Sequence, residues 1–184
     1  MKELESQISE LVTRCRDLHE DVNLNAVKAW KAEGGKAAIG YLPIYIPGEI
    51  LHAVGALPVG IIGGGDRTDI IRGDAYFQSY ICRIPRSTVE LGLRGSFDAL
   101  DGMIFPAICD VIRNLSGIWQ ILFPGKLVRF LDFPQNFDRE VGGWFYRREL
   151  TTLAADVSRI SGVPLESEAL RHSIHVYNQN RDLV

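Results

Sequence analysis

Residues 100–133 read LDGMIFPAICDVIRNLSGIWQILFPGKLVRFLDF. Leu100 to Phe105 is a short apolar run of strand type, and Pro106 closes it. Cys109, Ile112, Leu115, Trp119 and Leu122 then share one helical face. Leu127 to Phe133 is another buried run. Strand, amphipathic helix and strand in succession point to an α/β fold with a mostly parallel sheet.

The same texture extends upstream. Leu57 to Ile62 reads as a strand closed by Gly63, Gly64 and Gly65. Before it, Pro47 opens a short helix, PGEILHAVG, which ends near Gly55. Ile39 to Ile46 is a β-favouring run interrupted by Pro43. Further back, Leu4, Ile8, Leu11, Cys15, Leu18 and Val22 alternate at spacings of four and three, which is one face of a helix. Gly34 and Gly35 break the chain after it. Between residues 66 and 96, Ser87 and Glu90 form a capping-box pattern for a helix up to Leu93, and Pro85 argues against one continuous helix. Downstream, two helices are expected at Tyr146 to Ile160 and Ser167 to Arg181. The expected organisation is a helical lead over residues 1–35 and an α/β domain over residues 36–184.

Composition narrows the function classes. The chain has 184 residues, 46% of them hydrophobic, and a net charge of −3. That excludes a disordered or collagen-like chain. The charge gives no global reason to bind nucleic acid or anionic lipid. The N-terminal MKELESQISELV has acids and no apolar core, so it is no signal peptide. The longest uncharged run, Ile50 to Gly65, is too short to span a bilayer. A soluble cytoplasmic protein with reduced thiols is expected.

Common motifs fail on spacing. Gly63 and Gly65 follow a strand, but Thr68 occupies the third glycine position of a dinucleotide fingerprint. Gly34-Gly35-Lys36 lacks the other elements of a phosphate loop. His172 and His175 lie three apart on a helix without an acid to complete a metal site. In parallel sheets, ligands sit beyond the carboxyl ends of the strands. Those ends are the loops after Ile62, Phe105 and Phe133, and Cys109 falls just past the second. Cys82 sits beside Arg83 and Arg86. A helix N-terminus favours a thiolate, the form a soft metal or iron–sulfur cluster needs. Spacing leaves two readings open for Cys82 and Cys109, a metal or redox role and buried structural thiols. Cys15, on the apolar stripe, is expected to be a small buried hydrophobe.

Five blocks carry a longer resemblance: YLPIYIPGEILHAVGALPVGIIGGGD (41–66), IIRGDAYFQSYICRIPRSTVELGLRG (70–95), DGMIFPAICDVIRNLSGIW (101–119), FPGKLVRFLDFPQNF (123–137) and SEALRHSIHVYNQNR (167–181). From about residue 36 onward the chain resembles the benzoyl-CoA reductase / 2-hydroxyacyl-CoA dehydratase family. The resemblance implies a Rossmann-like α/β domain, the first of two in a subunit, with a helical lead. It also implies a 4Fe–4S cluster between the domains, held by three Cys, with one iron open to an acyl-CoA thioester. Cys82 and Cys109 match the first two cluster Cys, and the third belongs to the second domain, beyond Val184. Expected partners are the acyl-CoA substrate, a homologous second catalytic subunit and ATP-hydrolysing activator subunits. Reductive dearomatisation of benzoyl-CoA is favoured over dehydration of a 2-hydroxyacyl-CoA. A cluster-free binding or assembly domain is the remaining alternative. Glu49 and His52 are candidates for an acid or hydrogen-bond donor near the thioester carbonyl. Glu49 equally fits a first-turn carboxylate favouring its helix dipole. Gly63 to Asp66 is a stretch where backbone could approach the ligand closely.

Overall fold

The computed structural model describes residues 2–183. Four short strands form one parallel sheet: β1 (Ala37–Tyr41), β2 (Ala56–Gly60), β3 (Gly102–Pro106) and β4 (Leu127–Leu131). Their order is β2-β1-β3-β4. Ala37 pairs with Ala56, Ile39 with Gly102, and Gly102 with Leu127. The α/β reading therefore holds. The strands are shorter than their apolar runs. The run from Ile39 stops as a strand at Tyr41, two residues before Pro43, and the run from Leu127 stops at Leu131. Proline has no N–H to continue a ladder.

Among the described residues, seven α-helices accompany the sheet: α1 (Lys2–Glu20), α2 (Asn25–Ala32), α3 (Gly48–Ala53), α4 (Arg83–Leu93), α5 (Asp110–Leu122), α6 (Trp144–Ser161) and α7 (Ser167–Asp182). Two apolar layers sandwich the strands. On one face, Ala38, Met103 and Phe105 pack with Val27 of α2, Val89 and Leu91 of α4, and Ile112, Leu115 and Trp119 of α5. On the other, Ala37, Ile39, Ile104 and Leu131 pack with Ile50 and Leu51 of α3 and Leu153, Ala154 and Val157 of α6. Ile39, Ile104 and Phe105 are fully buried. Each such side chain contributes roughly 1.5–3 kcal/mol through burial. None of the described helices is long and apolar enough to cross a membrane.

This winding fixes where a site can form. The chain passes from β1 through α3 out to β2. It returns through α4 on the opposite face to β3, on the far side of β1. The direction of winding thus reverses between β1 and β3, which opens a crevice at their carboxyl ends.

Three local expectations change. First, the lead is two helices, not one. Leu24 adopts a left-handed φ of 53°, and the Asp21 carboxylate accepts the Ala26 N–H at 2.8 Å. α2 then docks on the sheet: the Lys31 ammonium reaches Asp101 at 2.6 Å, and that carboxylate also accepts the Ala38 N–H. Second, the α1 stripe does not enter the core. Leu4, Ile8, Leu11 and Leu18 are all more than half exposed, and Cys15 is exposed with them. Cys15 is therefore not a buried packing residue, because α1 has no apolar layer against its stripe among the described residues. Third, Ser87 and Glu90 are not a capping box. The helix begins four residues earlier, at Arg83, and Pro85 sits in its first turn, where a missing N–H costs nothing. Ser87 and Glu90 are consequently interior residues, both buried.

Candidate functional site

Cys82 and Cys109 occupy the same structural position. Each is the residue immediately before a helix, Cys82 before α4 and Cys109 before α5, and both are exposed. Neither helix start has a side-chain cap, so first-turn N–H groups are left facing the two sulfur-bearing residues. α4 and α5 are neighbours on one face of the sheet. Near their far ends, Gly92 of α4 lies against the Trp119 and Phe123 rings at the end of α5. The two helices therefore run the same way, and both Cys stand at the carboxyl edge of the sheet.

Cys109 arrives there directly. β3 ends at Pro106, the Ala107 N–H donates to the Leu131 carbonyl at 2.9 Å, and α5 starts at Asp110. Cys82 follows a long connection from β2. Gly63 turns that connection at a left-handed φ of 74°, where a Cβ would fall 2.3 Å from the Ser87 hydroxyl. The Gly64 N–H donates to that hydroxyl at 3.1 Å. The need for glycine here is set by contact with α4. Arg83 donates to the Gly65 and Thr68 carbonyls, and Arg86 donates to Asp74 and to the Ser79 and Ile81 carbonyls. Both guanidinium groups are thus spent on holding the loop.

The buried anchor of this loop is Glu90. Its Oε2 accepts N–H groups from Ile71, Arg72 and Gly73 at 2.9, 2.6 and 2.8 Å, and its Oε1 accepts from Arg94 at 2.8 Å. Burial alone would raise its pKa. The bonds from Gly73, Ile71, Arg94 and Arg72 prevail and bring it from 4.5 to about 2. The sequence pattern puts Glu90 in a cap. Only the return of residues 71–73 onto α4, a contact between segments with no local signature, reveals its role.

Glu49 and His52 lie on α3, across the sheet from α4 and α5. Glu49 is in the first turn, at the carboxyl edge, and its carboxylate pairs with Arg181 of α7. The Ser173 hydroxyl donates to the Glu49 carbonyl at 2.7 Å, and His52 Nδ1 lies 2.9 Å from the same hydroxyl oxygen. One hydroxyl carries one proton, so His52 Nδ1–H is the donor in that second bond. The His52 ring also neighbours His172 and Tyr177, with centroids at 6.4 and 6.1 Å. Glu49 and His52 are therefore engaged with α7. Among the described residues, no group of three or more His, Cys, Asp or Glu could hold a metal ion.

Sequence reading did not single out Tyr41, Phe133 or Tyr146, which gather at this edge near Tyr45. Tyr41 ends β1. Tyr45 follows in the next loop, and its ring meets Phe133 edge-on at 5.3 Å; Phe133 meets Tyr146 at 5.5 Å. Burial raises the phenol pKa of Tyr41, Tyr146 and Tyr177 above 10.0, and the nearby Glu49 charge adds to this at Tyr146 and Tyr177. These groups remain neutral donors at physiological pH. Ile44 and Tyr45 hold φ of 84° and 60°. A β-branched residue there is strained, a kind of strain that concentrates at functional sites. Only the tyrosine-rich texture of 41–45 signals this in the sequence.

Comparison with known proteins gives a consistent set. The family profile for 2-hydroxyglutaryl-CoA dehydratase, D-component, matches residues 43–184. A benzoyl-CoA reductase polypeptide of Thauera aromatica, one of that enzyme's subunits, is 53% identical over 177 residues, 96% of this chain and 46% of the relative. Lactoyl-CoA dehydratase subunit beta of Anaerotignum propionicum is 36% identical over 165 residues, 88% of this chain and 43% of the relative. The beta subunit of (R)-2-hydroxyglutaryl-CoA dehydratase of Acidaminococcus fermentans is 33% identical over 153 residues, 83% of this chain and 40% of the relative. The chain spans about half the length of the curated relatives it matches. A profile matched from residue 43 to 184 covers both Cys together with Glu49 and His52, and on it the chain belongs to the 2-hydroxyglutaryl-CoA dehydratase, D-component, family.

Proposed function

We propose that this chain is the cysteine-bearing α/β part of an iron–sulfur enzyme subunit that acts on an acyl-CoA thioester. Benzoyl-CoA is the favoured substrate, reduced with loss of aromaticity. The observation that carries the reading is the matched pair of exposed thiols, each at the uncapped start of one of two parallel helices at the carboxyl edge. The substrate preference rests on 53% identity to a benzoyl-CoA reductase subunit against 36% to a dehydratase subunit.

The donor set fits part of a 4Fe–4S site. Cys82 and Cys109 would supply two thiolates, and first-turn N–H groups of α4 and α5 would offset their negative charge. A third ligand would come from outside the described residues. The cluster, when bound, would supply low-potential electrons and an iron able to polarise a carbonyl oxygen. The remaining chemistry belongs to the chain. The aromatic row Tyr45–Phe133–Tyr146 and the strained β1 loop would shape one wall of the crevice and exclude water. Glu49 lies close enough to Tyr146 for its charge to be felt there, and direct action on a thioester requires its pair with Arg181 to open. His52, facing Ser173, would serve by holding α7 against α3. The proposed setting is the cytoplasm, with a homologous second catalytic subunit and ATP-hydrolysing activator subunits as partners.

The dehydratase relatives favour a second reading, removal of water from a 2-hydroxyacyl-CoA. The assembled enzyme, assayed anaerobically with reductant, ATP and each acyl-CoA, separates the two. Ring reduction of benzoyl-CoA is expected. Dehydration without ring reduction would replace the first reading by the second, and neither activity in an iron-free assembly would leave a binding or assembly role.

A further inference from the structure

Glu90 is a buried residue in the interior of α4, and its contacts lead stepwise to Cys82. Its carboxylate gathers three consecutive N–H groups, those of residues 71–73. Gly73 lies so close to α4 that a Cβ would stand 2.2 Å from the Arg86 carbonyl. The next residue, Asp74, receives Arg86 Nε at 2.6 Å. Arg86 Nη1 then holds the Ser79 and Ile81 carbonyls at 3.3 and 3.2 Å, and Ile81 adjoins Cys82. Every link joins the loop to α4, the helix that Cys82 begins.

We infer that Glu90 is the positioning residue for Cys82: it seats residues 71–73 on α4 and, through Asp74 and Arg86, fixes the segment that places the thiol at the helix start. This rests on the reading of Cys82 as a site thiol. Glu90 acts through the loop, whose residues 71–73 it holds. A carboxylate suits the task because one oxygen can accept several N–H bonds at once, and its charge strengthens each. Cys109 has no such dependence, since it is tied to β3 by a short link.

The test uses the metal-free full chain under native conditions, with Cys109 as an internal control. In Glu90→Gln, tryptic cleavage after Arg72 is expected to accelerate about tenfold as the loop opens. Labelling of Cys82 by iodoacetamide should rise about threefold relative to Cys109. Arg86→Lys, which spares the buried carboxylate, should raise the same labelling ratio while leaving Arg72 protected. Glu90→Asp should restore part of both. If Glu90→Gln lowers the melting temperature but leaves the labelling ratio and Arg72 cleavage at wild-type values, Glu90 is merely structural and the inference fails. An unchanged ratio in Arg86→Lys would equally overturn it. Iron and sulfide content of Cys82→Ala in the assembled subunit reports separately on the ligand reading. Retained iron there, with a shifted labelling ratio in Glu90→Gln, would sink the ligand role and spare the positioning role.

Discussion

Cys109 and Cys82 stand at equivalent positions, one residue before a helix, but two kinds of physics bring them there. Cys109 is carried by the hydrophobic core. β3 is buried along its whole length, and a short link joins it to α5. Cys82 is carried by polar contacts. The connection from β2 to α4 includes short 3-10 turns at Gly65–Arg67 and Gly73–Tyr76 and is held by Glu90, Arg83 and Arg86. One edge of a sheet can thus be organised twice, once by burial and once by a buried charge. The two mounts should fail under different perturbations.

The largest expected effect breaks the apolar mount. Phe105→Ala should lower the unfolding free energy by roughly 3–5 kcal/mol in urea titration, through lost burial and an unfilled cavity. Native-state labelling should change more at Cys109 than at Cys82.

Glu90→Ala breaks the polar mount. It leaves three N–H groups without their acceptor and should cost roughly 3 kcal/mol. Because the folded pKa of Glu90 is depressed, its contribution is complete above the ordinary value of 4.5 and disappears as pH falls toward about 2. The stability gap between wild type and Glu90→Gln, measured by urea titration at a series of pH values, should therefore shrink across that window. A gap that widened on acidification would contradict the assignment. Phe105→Ala should show no such convergence.

A smaller effect of opposite sign is expected beside the aromatic row. Ile44→Gly removes the strain of a φ of 84° and should raise stability by about 1 kcal/mol. Smallest of all is Cys15→Ser. At an exposed helix site it should change stability by less than about 0.5 kcal/mol.

Much of the apolar mount is legible in the sequence. The runs around β3, α5 and β4 carry strong periodicity, and the position of Cys109 past a strand follows from them. The resemblance marks Cys82 as well, but the residues around it mislead. Ser87 and Glu90 have the spacing of a cap, and nothing local says that residues 71–73 fold back onto Glu90. The α1 stripe misleads in another way. Periodicity reports an amphipathic helix without naming what covers it, so it predicts a buried Cys15 where the face is open. Glu49 and His52 fall on a short helix after β1, as their sequence pattern indicates, whereas their engagement with Ser173 and Arg181 spans distances that no sequence window contains.

The proposed function assigns an iron–sulfur cluster to Cys82 and Cys109, and not to Cys15. The most direct measurement is iron and acid-labile sulfide, with the visible cluster absorption, after anaerobic reconstitution of the assembled subunit and its three single Cys→Ala variants. Bound iron and sulfide should be lost in Cys82→Ala and in Cys109→Ala, with Cys15→Ala loading like wild type. Full loading of either of the first two, or loss in the third, would contradict the claim.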